Sequence, residues 1–131
     1  MKGYVVNLEK ESVGNEFFRK VLYTAPHSQL VLMSLKPGEE IGMESHRLDQ
    51  FIRCEDGEGK AVLNGVEYPI ASGFAVIIPE GTAHNIVNTS ATKPMKLYTV
   101  YSPANHRDGV VHETKAIAEA DEEHFDGKTT E

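Results

Sequence analysis

At 131 residues, 40% of them hydrophobic and 25% charged, the chain has the size and make-up of one globular domain with a single core. The net charge of −7 is unevenly spread, because seven acids from Glu113 onward face only Lys115 and Lys128; the near-neutral remainder has no basic cluster to meet a phosphate backbone, which excludes nucleic acid as a partner. No apolar run approaches the ~18 residues that span a bilayer, and a lone cysteine, Cys54, allows no intrachain disulfide, so a cytoplasmic, reducing setting is expected.

Tyr4 to Leu8 and Phe17 to Tyr23 are aromatic and β-branched runs and read as strands. Ala25-Pro26-His27-Ser28 breaks the chain and leaves His27 in a solvated loop. Gln29 to Leu35 is a strand with apolar side chains on both faces, so a neighbouring sheet or subunit is expected to cover the face turned away from the core. Lys36-Pro37-Gly38-Glu39 turns the chain into a strand carrying Glu44 and His46. A second strand follows Gln50 and holds Cys54 as a small core residue. Asn64-Gly65 between two short strands is a type I′ hairpin signal, since both residues tolerate positive φ.

Phe74 to Ile78 is an almost unbroken apolar run and reads as the most buried strand. Pro79 and Gly81 form a corner that aims the next strand, on which His84, Ile86 and Asn88 share a face, with Asn88 as a turn cap. Lys96 to Tyr101 closes the set, with either Leu97, Thr99 and Tyr101 or Tyr98 and Val100 inward. Ser102 to Asp108 is a loop that leaves His106 at the surface. From Thr114 the composition favours a short helix, with Thr114 as its cap, Ile117, Ala120 and His124 as its apolar stripe and Gly127 beyond its end. Residues 1–112 form the β domain, and 113–131 an acidic helix and tail packed on it.

Two stretches carry the chemistry: GEEIGMESHRLDQFIRCEDG, from Gly38 to Gly57, and GFAVIIPEGTAHNIVN, from Gly73 to Asn88. They resemble the two motifs of the cupin superfamily, here in a single copy. The second has every consensus position; the first departs twice, with Glu44 where the family usually has His and Gln50 where it has Glu. The resemblance implies an all-β fold, an antiparallel jelly-roll barrel with a short C-terminal helix, and metal ligands at Glu44, His46, Gln50 and His84. The residues agree with it, because Glu44 and His46 are two apart and share a face of an extended chain. Gln50 has the same parity, and His84 arrives from a distant strand.

Two imidazoles and a carboxylate, with an amide oxygen as fourth donor, suit one divalent Mn, Fe, Ni or Co ion per chain, with Zn less favoured. The expected function is that of a small metalloenzyme acting on an oxygenated metabolite by Lewis-acid chemistry. An isomerase or lyase is meant, akin to mannose-6-phosphate-isomerase-like cupins, with Glu44 able to double as base. An Fe(II) dioxygenase and a non-catalytic ligand-binding cupin are the alternatives. Few Arg or Lys fall at inward positions, which argues against a phosphorylated substrate, and a homodimer is expected to cover exposed strand edges.

Overall fold

The computed structural model describes residues 1–131. Helix α1 (Leu8–Gly14) leads into β1 (Arg19–Thr24), β2 (Gln29–Leu35), β3 (Asp49–Asp56), β4 (Glu58–Leu63) and β5 (Val66–Ala71). After these come β6 (Ala75–Ile78), β7 (His84–Asn88), β8 (Met95–Ser102), β9 (Val111–His112) and helix α2 (Lys115–Ala120). All pairings are antiparallel. They make a six-stranded sheet in the order β6-β3-β8-β2-β1-β9 and a three-stranded sheet in the order β5-β4-β7, the two faces of a jelly roll.

The core lies between the sheets. Val31, Met33 and Leu35 enter it from β2, Ile52 and Cys54 from β3, Ile86 from β7, and Leu97 and Tyr101 from β8. The inward set on β8 is therefore Leu97, Thr99 and Tyr101, all buried. Cys54 is the core residue expected, and burial, aided by the charge of Asp56, pushes its thiol up to about 11. The Asn64-Gly65 turn has φ of 47° and 83°, the two positive angles a type I′ hairpin needs. Asn88 caps turns by donating to the carbonyls of Leu35, Lys36 and Lys93 and accepting from the Ser90 N–H.

Several expectations are corrected. Tyr4 to Leu8 is no strand: Asn7 caps α1 by accepting from the Lys10 N–H at 3.2 Å, and Glu9 and Glu11 favour its first turn. That helix packs on the six-stranded sheet, and Leu32, on the outer face of β2, is buried within the chain itself. The run into β6 is an edge strand, with Phe74 52% and Ile77 62% exposed, and is far from the most buried.

The C-terminal segment differs too. Helix α2 stops at Ala120, six residues short of Asp126, because Asp121 turns extended (ψ 100°). Ala118, rather than the stripe through the exposed Ile117, touches the core. The tail docks: the Thr130 N–H donates to the Thr24 carbonyl at 2.9 Å, and Glu131 accepts from Lys2, Gly3 and the Tyr23 hydroxyl.

Candidate metal centre

The segment bearing Glu44 and His46 is not a regular strand. It runs extended along the free edge of β7 through two isolated bridges, Glu40 with Val87 and Glu44 with His84. In the second bridge the Glu44 N–H donates to the His84 carbonyl and the His84 N–H to the Glu44 carbonyl, both at 2.9 Å, which sets the two residues side by side. Gly42, with φ 109°, lets the chain bend there, and its N–H donates to Asn85 Oδ1. The Pro79-Gly81 corner then locks the two motifs together. Thr82 N–H donates to the Pro79 carbonyl, and Gly81 N–H donates to the His46 carbonyl at 2.9 Å.

Three of the four expected ligands converge. One donor atom each from Glu44, His46 and His84 lies within 4.8 Å of the others, with His46 Nε2 and Glu44 Oε2 2.8 Å apart. Donors at ~2.1 Å from one ion stand at most about 4.2 Å apart, so the side chains have to draw together to share an ion. The tautomer of His84 is defined by its surroundings: Nδ1–H donates to the Thr82 carbonyl at 2.8 Å, which leaves the Nε2 lone pair for a ligand. Gln50, on β3, donates from Nε2 to Thr99 Oγ1 at 3.0 Å. Its Oε1 is buried without any partner. An unsatisfied buried acceptor is rare, and a cation is the partner that this one fits. Glu44 is ready to serve: burial pushes its carboxyl up, but the His46 hydrogen bond and the charges of His46, Arg19 and His84 outweigh this and hold it below the usual range.

Around the cluster stands a layer of which the sequence offered only Tyr101, in one of two alternative inward sets. Tyr101 sits edge-on to His46, ring centres 6.1 Å apart, and burial raises its hydroxyl far above the ordinary phenol range, so it keeps its proton. His106, expected at the surface, is 6% exposed because Glu123 returns from the C-terminal segment and accepts from its Nδ1–H at 2.6 Å. Burial holds the imidazole below its usual value although Glu123 works the other way. His112 is buried between Arg19 and Asp121, so the acidic tail is in part a set of inward carboxylates. Arg19 is inward as well, paired with Met33 across β1 and β2, against the expectation of an interior poor in cations. In the run FFRKVLY either strand phase brings a cation inward, and a bulge between Val21 and Tyr23 hides the true one.

Two facing antiparallel sheets and a Glu44–His46–His84 cluster that could hold a metal ion define a small jelly-roll protein. The chain belongs to the cupin family: the family profile described as a cupin domain (Cupin_2) matches residues 31–101. It is 45% identical over 130 residues to YrkC of Bacillus subtilis (strain 168), covering 93% of this chain and 69% of that one. Over 112 residues it is 46% identical to L612 of Acanthamoeba polyphaga mimivirus, covering 82% and 70% respectively. The crystal structure of BH2720 from Bacillus halodurans superposes with a TM-score of 0.89 at 43% identity, covering 92% of this chain and 96% of that one. No helix here is long and apolar enough to cross a membrane.

Proposed function

We propose that this cupin is a small metalloenzyme that holds one divalent ion, Mn, Fe, Ni or Co, through Glu44, His46, His84 and Gln50 Oε1, and acts on a small oxygenated metabolite in a non-redox, isomerase- or lyase-type reaction. The observation that carries the reading is the convergence of one donor atom each from Glu44, His46 and His84 within 4.8 Å, and the buried, unpartnered Gln50 Oε1 supports it. When bound, the ion supplies Lewis-acid polarisation of a substrate oxygen. The remaining work falls to side chains. Glu44, held in its ionised form, is the group able to accept a proton, and Tyr101, packed edge-on to His46 and held protonated, directs its hydroxyl to His106 Nε2 at 3.4 Å. The buried Ile86 and Leu97 keep the inner end of the site dry.

Two imidazoles and a carboxylate also suit Fe(II), which keeps a dioxygenase as the second reading. Turnover of small hydroxy and oxo acids by protein loaded with Mn, Co or Ni, under nitrogen as in air, is the expected result. Oxygen uptake confined to the Fe(II)-loaded protein would put the dioxygenase in its place, and tight retention without turnover would make the protein a binding module.

The assembly that fits this chain is a homodimer through the open edges of β5 and β6. There Tyr68, Phe74 and Ile77 are exposed around an apolar groove of about 300 Å³ whose lining includes no charged side chain. A second copy brings no charge against it, despite the net −7 of each chain. Light scattering at micromolar concentration should give twice the chain mass, and Ile77→Glu should halve it; a wild-type particle of single-chain mass would refute the pairing.

A further inference from the structure

Beside the metal ligands lies a cavity of about 200 Å³, lined by Arg19, Ile41, Glu44 and His106 and roofed by α2 and the segment after it. At ~30 Å³ per water it holds roughly seven waters or one small metabolite. Arg19 is 8% exposed, yet no carboxylate approaches its guanidinium closely enough to form an ion pair. Its one hydrogen bond runs from Nη1 to His112 Nδ1 at 3.1 Å, and its Nε is buried with no partner. His112 is fixed in the matching tautomer, because its Nε2–H donates to Asp121 Oδ2 at 3.0 Å. The Phe18 ring supports the guanidinium from one side, 5.3 Å from its carbon. A buried cation is expensive unless paired, and here the chain orients it with His112 and Phe18 while leaving its Nε without a partner.

Resting on the metal-centre reading, we infer that Arg19 is the anchor for a carboxylate of the substrate, so that the metabolite is a small organic acid with one carboxylate on the guanidinium and another oxygen toward Glu44, His46 and His84. With a divalent ion held by a single carboxylate, the inner site is left with positive charge that Arg19 increases, which draws an anion. A carboxylate suits it better than a phosphate. Arg19 offers one planar fork, the match for a monoanionic carboxylate. A phosphate would bring its second charge to the same spot, facing Glu119, Asp121 and Glu123 on the roof of the cavity, where Lys115 is the one cation and lies 3.8 Å from Glu119, whereas a diacid places a single charge there. Arg19 thus acts by direct contact, and His112 and Asp121 act by positioning it.

Malonate is the probe, with malonamide as its neutral counterpart and inorganic phosphate as the rival anion. Calorimetry on the metal-loaded full chain should show Arg19→Gln binding malonate about tenfold or more weaker than wild type, with Arg19→Lys between them and metal content by mass spectrometry unchanged in both. In the zinc-loaded, diamagnetic wild type, the Arg19 Nε–H resonance should shift as malonate saturates and stay in place with malonamide. The anchor is overturned if folded Arg19→Gln binds malonate within twofold of wild type, if that resonance does not move, or if phosphate displaces malonate at lower concentration. Should Arg19→Gln fail to fold, the wild-type resonance decides alone. Should the wild type take up no metal, the same titration on metal-free protein decides the anchor separately, and only the metal reading falls.

Discussion

Adding a divalent ion at a hundred times its dissociation constant to chelator-treated protein is expected to raise its Tm by about 10 °C. Binding to the folded state alone contributes about 2.7 kcal/mol at that ratio, and a chain of 131 residues unfolds with an entropy near 0.28 kcal/mol/K by the usual ~2.1 cal/mol/K per residue. The unfolded chain lacks the assembled site, because Glu44 and His84 are set side by side by the bridge between their backbones. The ion has to displace the contact between His46 Nε2 and Glu44 Oε2, which lie 2.8 Å apart, and replaces it with a bond to each of them and to His84. His84→Ala should abolish the shift. It removes the imidazole whose Nε2 is left free by the Thr82 carbonyl, and two donors with one amide then hold an ion far more weakly. Melts followed by circular dichroism, with metal content measured on the same samples, check both halves. A shift of the same size in His84→Ala would place the ion elsewhere.

The parts of this site that could be read from the sequence are those set by local backbone chemistry. Pro79 and Gly81 define a corner wherever they occur in that order, and the Gly81 N–H meets the His46 carbonyl because the corner leaves it pointing outward. Asn64-Gly65 is legible for the same reason, as is the two-residue spacing that puts Glu44 beside His46. What escaped depends on partners far along the chain. An apolar run such as Phe74 to Ile78 states that a strand exists but not its rank in the sheet, and here its outward residues form the edge face. His106 looks like a loop histidine until Glu123, 17 residues on, folds back to it. Arg19 acquires its meaning from His112, 93 residues away. Asn7 was the missed local signal: a cap followed by two acids marks α1 more firmly than the preceding Tyr4-Val5-Val6 marks a strand.

Gly59→Ala is expected to destabilise the protein by about 3 kcal/mol or more, lowering Tm by about 10 °C, although Gly59 touches no ligand. It sits in β4 opposite Asn88 of β7, and a Cβ there would lie 2.0 Å from the Val87 carbonyl oxygen and 2.6 Å from Met95 Cε. The methionine end can swing aside. The carbonyl cannot, because Val87 is paired to Lys60 and bridged to Glu40, and the next residue, Asn88, binds the carbonyls of Leu35, Lys36 and Lys93. Relief therefore requires β4 and β7 to separate. That motion reaches the metal ligands, since His84 is paired to Leu63 at the other end of the same two strands. The substitution should accordingly weaken metal binding as well as the fold. Gly14→Ala is the control: nothing lies within 4 Å of its Cβ and its φ is not positive, so it should change stability by no more than about 1 kcal/mol. Urea unfolding of metal-free protein measures both substitutions, and a Gly59→Ala midpoint indistinguishable from that of Gly14→Ala would mean that β4 and β7 are not held as closely as these distances require.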